Sequence, residues 1–261
     1  MENQKLFNAK SLYLEGIRDG KPREAVYKYT GDRYTQHSTG VKDGQEGFIE
    51  FFEDFIQRCP DRDIQILRGL VDGQYVFLHA YQSINGGESQ WVTTDFFDTD
   101  ENDKIIEHWD VISAFSPQTP SGHTSVDGPT EVTDLDKTEE NKELVRNLIQ
   151  DALMEGGDPS NLDRYISTEK YIQHNKDVAD GLEHFQKLAA APNPPLTYQE
   201  IVLLVGQGNF VATLCKANWN DGKINQDYAQ VDLFRIENGK VVEHWDNVEP
   251  VPEHDVNGGK F

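Results

Sequence analysis

The feature that most constrains this chain is an internal repeat. Residues 104–110 are Lys-Ile-Ile-Glu-His-Trp-Asp, and residues 240–246 are Lys-Val-Val-Glu-His-Trp-Asp. Other landmarks recur at nearly the same offset, because Tyr-Thr-Gln-His at 34–37 returns as Tyr-Ile-Gln-His at 171–174, 137 residues later (174 − 37). Repetition at one offset indicates that a unit of roughly 115 residues, the size of a single domain, is present twice.

The composition limits the partners. The 261 residues carry a formal net charge of −22. A surface this acidic repels phosphate backbones and anionic lipid headgroups, so we expect neither nucleic acid nor a membrane as a partner. No stretch reaches the roughly 20 apolar residues of a membrane span, and the first residues lead into an amphipathic segment rather than a signal-peptide core. We therefore expect a cytoplasmic protein.

The two cysteines, Cys59 and Cys215, lie at non-equivalent places in the two repeats. This arrangement gives neither metal-ligand spacing nor a disulfide framework, so both are predicted to be buried apolar fillers. Because no phosphate-binding loop or metal-ligand pattern is visible either, we expect no metal ion and no cofactor.

Each repeat shows helical periodicity first and strand periodicity second. In the first repeat two apolar stripes predict helices, namely Leu6, Ala9, Leu12, Tyr13 and Ile17, and then Phe48, Phe51, Phe52, Phe55 and Ile56. Alternating segments at about 62–71, 74–84, 89–98 and 104–115 then predict an antiparallel meander, and segments at about 196–206, 209–219, 224–237 and 240–248 predict its copy. Helices followed by a sheet indicate an α+β fold.

The domain boundaries follow from composition. Residues 1–116 form the first domain, and residues 117–137, rich in Pro, Gly, Ser and Thr, are predicted to be an extended linker. Residues 138–250 form the second domain, and 251–261 a tail that we expect to be disordered.

Particular residues resemble a known family. Residues 171–175, Tyr-Ile-Gln-His-Asn, and the run 231–246 are similar to signature stretches of the SnoaL-like polyketide-cyclase family, within the nuclear transport factor 2-like superfamily. In the first repeat, residues 76–79 and 94–97 resemble the matching strands. The resemblance implies two tandem cone-shaped α+β barrels, each with N-terminal helices packed on a curved, mostly antiparallel sheet. Because members of the superfamily usually pair through the outer sheet face, it also implies a pseudo-dimer within one chain, with further oligomerisation left open.

The resemblance also implies a site. In the family's cyclases an aspartate on the third strand acts as acid and base beside a histidine of the neighbouring strand; carried over, these are Asp95 or Asp232, and His79. Strand alternation is compatible with this pairing if the face of His79 coincides with the face of Asp95. An aspartate among apolar neighbours would have a raised pKa, suited to proton transfer at neutral pH. The residues expected to line the pockets are Tyr75, Phe77, Tyr81, Trp91, Phe97, Tyr228, Phe234, His37 and His174.

The two repeats differ at this site. Leu214 stands where the first repeat has His79, so the first pocket is predicted to carry the chemistry and the second to be a divergent copy. His37 and His174 either line a pocket mouth or tie a loop to a backbone carbonyl. The Glu-His-Trp triplets at 107–109 and 243–245 are expected to close the fold, with the tryptophans as apolar plugs.

Two functions remain open. The first is a cofactor-independent enzyme that binds a small apolar carbonyl compound and performs aldol-type cyclisation, isomerisation or dehydration. The second is a non-catalytic ligand-binding or assembly module of the same fold.

Overall fold

The computed structural model describes residues 2–191 and 196–261. The chain divides into two compact units, of which the first comprises Met1–Ala114 with Pro252–Phe261 and the second Phe115–Val251. Within the described residues each unit holds a five-stranded sheet. The α+β class and the tandem arrangement predicted from the repeat are confirmed.

The first unit begins with helices and ends with its sheet. Its helices are α1 (Gln4–Ser11), prolonged by a π-helical turn at Leu12–Arg18, α2 (Pro22–Tyr29) and α3 (Gly44–Arg58). Its strands are β1 (Thr30–Gln36), β2 (Arg62–Asp72), β3 (Tyr75–Ile84), β4 (Ser89–Thr99) and β5 (Ile105–Ala114), in the spatial order β1-β5-β4-β3-β2.

The second unit repeats this order. Its helices are α4 (Thr138–Leu148), prolonged by a π-helical turn at Ile149–Leu153, α5 (Leu162–Tyr165) and α6 (Leu182–Ala189), with short 3₁₀ turns at Leu135–Lys137 and Pro159–Asn161. Its strands are β6 (Ile172–Gln173), β7 (Leu196–Gln207), β8 (Phe210–Asn220), β9 (Asn225–Glu237) and β10 (Lys240–Pro250), in the order β6-β10-β9-β8-β7.

The core of each unit lies between its helices and one face of its sheet. In the first unit Leu12 and Ile17 of the first helical segment pack with Val76 and Leu78 of β3. In the second unit Leu148 of α4 is buried in one cluster with Val211 of β8. Burial of one such aliphatic side chain stabilises the unit by about 1.5–3 kcal/mol. The apolar face of an amphipathic helix therefore packs on one face of each sheet.

The meander strands lie within about two residues of their predicted positions, whereas β1 and β6 were not predicted. Both pair in parallel with the last strand of their unit, Gln36 opposite His108 and Gln173 opposite His244. β1 is a short strand at the edge of its sheet. It lacks apolar alternation in its sequence, which is Thr-Gly-Asp-Arg-Tyr-Thr-Gln. The strand places Gln36 beside His108 of its neighbour β5.

The segments between and after the domains are not as predicted. Residues 115–137 belong to the second unit, where the Asp127 carbonyl accepts a hydrogen bond from Trp245 Nε1 at 2.9 Å. The tail expected to be disordered belongs from Pro252 onward to the first unit, where Asn257 Nδ2 donates to the carbonyl of Ser38 at 2.8 Å. Proline and glycine content indicated irregular backbone correctly, but irregular backbone can be held firmly by hydrogen bonds of this kind.

Cys59 and Cys215 are buried and unbridged, as predicted, and burial raises the pKa of the Cys215 thiol. Among the residues that the structure describes, no helix has the length and apolar character needed to cross a bilayer.

Candidate active site

The predicted partnership of Asp95 and His79 is wrong. In the register of β3 and β4, Leu78 lies opposite Asp95 and His79 opposite Thr94. Because directly opposite residues share a face, Asp95 and His79 point to opposite faces of the sheet. The His79 Nδ1 atom instead lies 3.0 Å from Arg68 Nη1. Alternation within each strand was read correctly, but a one-residue error in the register between strands reverses the relation of their faces.

The same register error affects the predicted pocket lining. Tyr75, Phe77 and Tyr81 lie two or four positions from His79 on β3, so they share its face, away from Asp95, and do not line a pocket with that aspartate. The ring of Phe77 packs there against Phe96, with centroids 5.0 Å apart. Trp91 and Phe97 do share the face of Asp95, as predicted.

The histidine that contacts Asp95 comes from β5. The Nε2 atom of His108 lies 3.0 Å from Asp95 Oδ1, and its Nδ1 lies 2.8 Å from the Oε1 atom of Gln36 on β1. The Tyr13 hydroxyl donates to the same Asp95 oxygen at 2.5 Å. Asp95 is fully buried, and burial raises its pKa against the lowering effect of the His108 and Tyr13 contacts.

A second aspartate of β5, Asp110, lies opposite Asp95 and is also buried. Its Oδ2 accepts a 2.5 Å hydrogen bond from Ser38 Oγ, and its Oδ1 lies 3.2 Å from the ammonium group of Lys260. Asp95, His108 and Asp110 present ligand atoms within 4.8 Å of one another, a spacing that could hold a metal ion. The ammonium of Lys260 already balances Asp110, however, and it would repel a divalent cation.

The second unit builds the corresponding cluster around Asp232. Asp232 is fully buried, and His244 Nε2 lies 2.9 Å from its Oδ1. Gln230 Nε2 donates to the same oxygen at 2.9 Å, and the Tyr198 hydroxyl lies 2.9 Å from Oδ2. The tyrosine hydroxyl comes from strand β7 here and from the first helical segment in the first unit, so the two repeats satisfy their buried aspartates from different elements.

The hydrogen bonds around His244 define where its protons lie. Gln173 Oε1 accepts from the Asn175 backbone N–H at 3.1 Å, which identifies this atom as oxygen rather than nitrogen. His244 Nδ1, 2.9 Å from that oxygen, must therefore carry a proton. Because Nε2 faces a carboxylate oxygen, the pair of His244 and Asp232 holds one further proton between them.

Electrostatics agree with a protonated His244. Burial alone would lower the pKa of His244, but the hydrogen bond and charge of Asp232, together with the charge of Asp246, raise it overall. For Asp246, burial raises the pKa, the His244 charge opposes the shift, and the Asp232 charge adds to it. Asp246 thus holds its proton more tightly than a solvated carboxyl group does.

A cavity of about 570 Å³ opens onto this cluster in the second unit. Asp246 is only partly buried there, and its Oδ2 accepts a 2.5 Å hydrogen bond from Asn175 Nδ2. Most of the wall is apolar. The lining includes Leu148, Leu153, Phe185, Leu188, Trp219 and Phe234, with Tyr171, Asn175, Asp232, His244 and Asp246 as polar groups. Phe234 therefore lines the pocket as predicted, whereas Tyr228 shares its face of β9 but is not part of the described lining.

His37 and His174 tie loops and lie on the face away from the aspartates. His37 Nε2 contacts Glu107 Oε1 at 3.0 Å, and His174 Nε2 contacts Glu243 Oε1 at 2.9 Å. Their Nδ1 atoms lie 2.7 Å from the Gly259 carbonyl oxygen and 2.9 Å from that of Thr124, respectively. The loop-tying alternative is thus correct for both, and the pocket-lining one is wrong.

The same outer face holds the predicted tryptophan plugs. His174 stacks on Trp245, with ring centroids 4.6 Å apart. Arg235 donates to Glu243 there at 2.6 Å, on the face opposite to Asp232.

Sequence reasoning missed the residues that the structure brings to the aspartates. His108 and Asp110, like His244 and Asp246, are separated by two positions on one strand and therefore share a face. The signal was present in the repeated Glu-His-Trp-Asp run. That run was predicted to close the fold. The glutamate and tryptophan lie on the outer face of the sheet, whereas the histidine and aspartate lie on the face of Asp95 and Asp232.

Comparison with known proteins agrees with this architecture. Residues 12–108 match the model of the SnoaL-like domain, so the predicted resemblance is confirmed over that part of the chain. No curated protein sequence matches the chain.

Solved structures similar to the chain include three from bacteria. A provisionally assigned polyketide cyclase from Bacillus cereus is 18% identical over 42% of this chain and 74% of its own, with a TM-score of 0.38. An LEH-like epoxide hydrolase from M. tuberculosis is 16% identical over 43% and 85%, with a TM-score of 0.38. TsrD from Streptomyces laurentii is 22% identical over 41% and 89%, with a TM-score of 0.35.

Proposed function

We propose that the second unit binds a small, largely apolar carbonyl compound and moves a proton within it, with Asp246 as the proton acceptor. The observation that carries this proposal is a partly exposed carboxyl group of raised pKa on the wall of an apolar cavity of about 570 Å³. Small-molecule sites have this size and this mixture of apolar wall and few polar groups.

Asp246 has the properties of a general base for carbon acids. A carboxylate of raised pKa binds a proton more strongly, so it removes one from a carbon next to a carbonyl more readily. Once Asp246 is protonated, its repulsion with Asp232 is relieved, which favours the proton transfer. Asn175, which donates to Oδ2, keeps the carboxyl group oriented.

The neighbouring groups supply the rest of the chemistry. The Tyr171 hydroxyl accepts a hydrogen bond from Gln173 Nε2 at 3.4 Å, so its own proton can be donated to a carbonyl oxygen in the cavity. Burial raises the pKa of Tyr171, which keeps this donor protonated. The resulting enolate can then be reprotonated elsewhere, attack a second carbonyl within the molecule, or expel a leaving group. These outcomes correspond to isomerisation, aldol-type cyclisation and dehydration.

The first unit is less suited to this reaction. The carboxylate of Asp110, the equivalent of Asp246, already contacts the ammonium group of Lys260 at 3.2 Å, whereas Asp246 lines an open cavity. We therefore assign the chemistry to the second unit, the reverse of the preference drawn from the sequence.

Deuterium exchange tests the proposal without knowledge of the natural substrate. Proton abstraction from 1-tetralone in D₂O incorporates deuterium next to its carbonyl, and NMR measures the rate. We expect wild-type protein to accelerate this exchange and Asp246→Asn to lose about 100-fold or more of the acceleration, since general-base catalysis contributes 10²–10⁴-fold. The matched control is Asp110→Asn, the same change at the equivalent residue, which should keep the activity.

The competing function is non-catalytic binding in the same cavity. If 1-tetralone binds but exchanges no faster than in buffer, or if Asp246→Asn exchanges as fast as wild type, the cavity holds ligands without proton transfer by Asp246.

A further inference from the structure

The last segment of the chain lies across the loop that follows β1 in the first unit. Asn257 Nδ2 donates to the carbonyl oxygens of Ser38 and Val41, both at 2.8 Å. The Gly40 backbone N–H donates to Asp255 Oδ1 at 3.1 Å. These contacts fix the segment, residues 255–260, which we call the first strap.

The first strap ends in a buried lysine. Lys260 is only 3% exposed, and its ammonium lies 3.2 Å from Asp110 Oδ1 and 3.2 Å from Thr39 Oγ1. A buried ammonium requires a charged or hydrogen-bonding partner, and Asp110 is the group opposite Asp95. The C-terminal segment thus places the Lys260 ammonium in the polar cluster of Asp95, His108 and Asp110.

The second unit has an equivalent strap, residues 119–125, after the last strand of the first unit. The carbonyl of Thr124 contacts His174 Nδ1 at 2.9 Å, as the carbonyl of Gly259 contacts His37 Nδ1 at 2.7 Å. The residue after this carbonyl is Ser125 in the second strap and Lys260 in the first. The Ser125 hydroxyl accepts a 3.0 Å hydrogen bond from the Ser116 backbone N–H, so it is directed within its own segment.

The loops beneath the two straps correspond as well. Ser38 and Val41, held by the first strap, lie 137 positions before Asn175 and Val178 (175 − 38 and 178 − 41). Asn175 and Val178 line the cavity of the second unit. The first strap therefore covers the part of the first unit that forms the cavity wall in the second.

We propose that Lys260 is a tethered occupant of the first unit's site, and that the residue following the strap carbonyl decides which site is open. A lysine there closes the first site, and a serine leaves the second accessible. Because the occupant is a primary alkylammonium, the space that it vacates suits a small primary amine in its protonated form. This proposal concerns access, so it does not depend on proton transfer by Asp246.

Chemical complementation tests the occupancy in the full chain. Lys260→Ala removes three methylene groups and the ammonium, which n-propylammonium replaces. We expect Lys260→Ala to lower the unfolding temperature and n-propylammonium to restore part of the loss. Tetramethylammonium, which has the same charge but no N–H donor, should not restore the unfolding temperature. Neither cation should change the unfolding temperature of wild type or of Lys260→Met. A folded Lys260→Ala protein that responds equally to both cations would overturn the proposal.

A measurement on wild-type protein covers the case in which Lys260→Ala does not fold. Lys42, in the same unit, has a side chain that is 59% exposed, whereas that of Lys260 is 1% exposed. Acetylation by a water-soluble active ester, followed residue by residue with mass spectrometry, should be slower at Lys260 by 100-fold or more. Equal rates at the two lysines would refute the tethered occupancy.

Placing a lysine at Ser125, the position in the second strap that corresponds to Lys260, tests whether this residue controls access to the cavity. We expect Ser125→Lys to weaken the binding of 1-tetralone to the second cavity about tenfold or more, while the matched neutral variant Ser125→Met weakens it less. Unchanged binding in a folded Ser125→Lys protein would show that this position does not control access.

Discussion

Replacing Tyr198 by phenylalanine tests how the buried aspartate of the second unit is stabilised. The Tyr198 hydroxyl lies 2.9 Å from Asp232 Oδ2, and both residues are buried. A hydrogen bond to a charged group contributes about 1.5–3 kcal/mol, and phenylalanine keeps the ring, so little packing is lost. We therefore expect Tyr198→Phe to lower the free energy of unfolding by about 1.5–3 kcal/mol.

Two further tyrosines calibrate this result. Tyr13→Phe removes the equivalent bond to Asp95 in the first unit and should cost a similar amount. Tyr165→Phe removes a hydroxyl that bonds to the exposed Asp151, and surface changes of this kind fall within about 0.5 kcal/mol.

Urea unfolding followed by circular dichroism and tryptophan fluorescence measures all three variants. Each unit carries its own tryptophans, so the fluorescence can report unfolding in both. A Tyr198→Phe loss below about 0.5 kcal/mol, equal to that of Tyr165→Phe, would show that the hydroxyl does not stabilise Asp232.

The remaining predictions concern ion pairs, pH and thiols. Glu243→Gln removes one of the two carboxylates that bind the buried Arg235 and leaves Glu237 as the other, whereas the arginine that binds Glu107 is the exposed Arg33; Glu243→Gln should therefore lower the free energy of unfolding more than Glu107→Gln, and equal losses in denaturant unfolding would contradict this. The folded pKa of His244 is raised above 6.5, so its contribution to stability is fully present below that pH and is lost as the pH rises through the folded value. The stability difference between wild type and His244→Gln should accordingly shrink from pH 6 to pH 9, and a constant difference would refute the raised pKa. Cys59 and Cys215 are buried, so Ellman's reagent should react with neither before unfolding, and rapid reaction of native protein would show that one is accessible.

The fold could be predicted because its determinants are local. The repeat defined the number of units, and apolar periodicity located α3 and the meander strands to within a few residues. β1 and β6 were not predictable in this way, since a short parallel edge strand has no alternation to reveal it. Its partner β5 lies about 70 residues further along the chain, Gln36 pairing with His108, and no local pattern indicates that contact.

The site was only half predictable for the same reason. Asp95 and Asp232 were identified, but their partners depend on register between strands, which the sequence of one strand does not contain. The correct histidines, His108 and His244, lie across β4–β5 and β9–β10 rather than across β3–β4. The insertion of Lys260 could not be inferred either, since it depends on where an irregular segment packs after the sheet has formed.

A crystal structure of the full chain soaked with 1-tetralone tests the central assignment most directly. We predict ligand density in the cavity of the second unit, with the carbon next to the carbonyl facing Asp246 and with Lys260 still bound to Asp110. Ligand density against Asp110 with Lys260 displaced, and none beside Asp246, would contradict it.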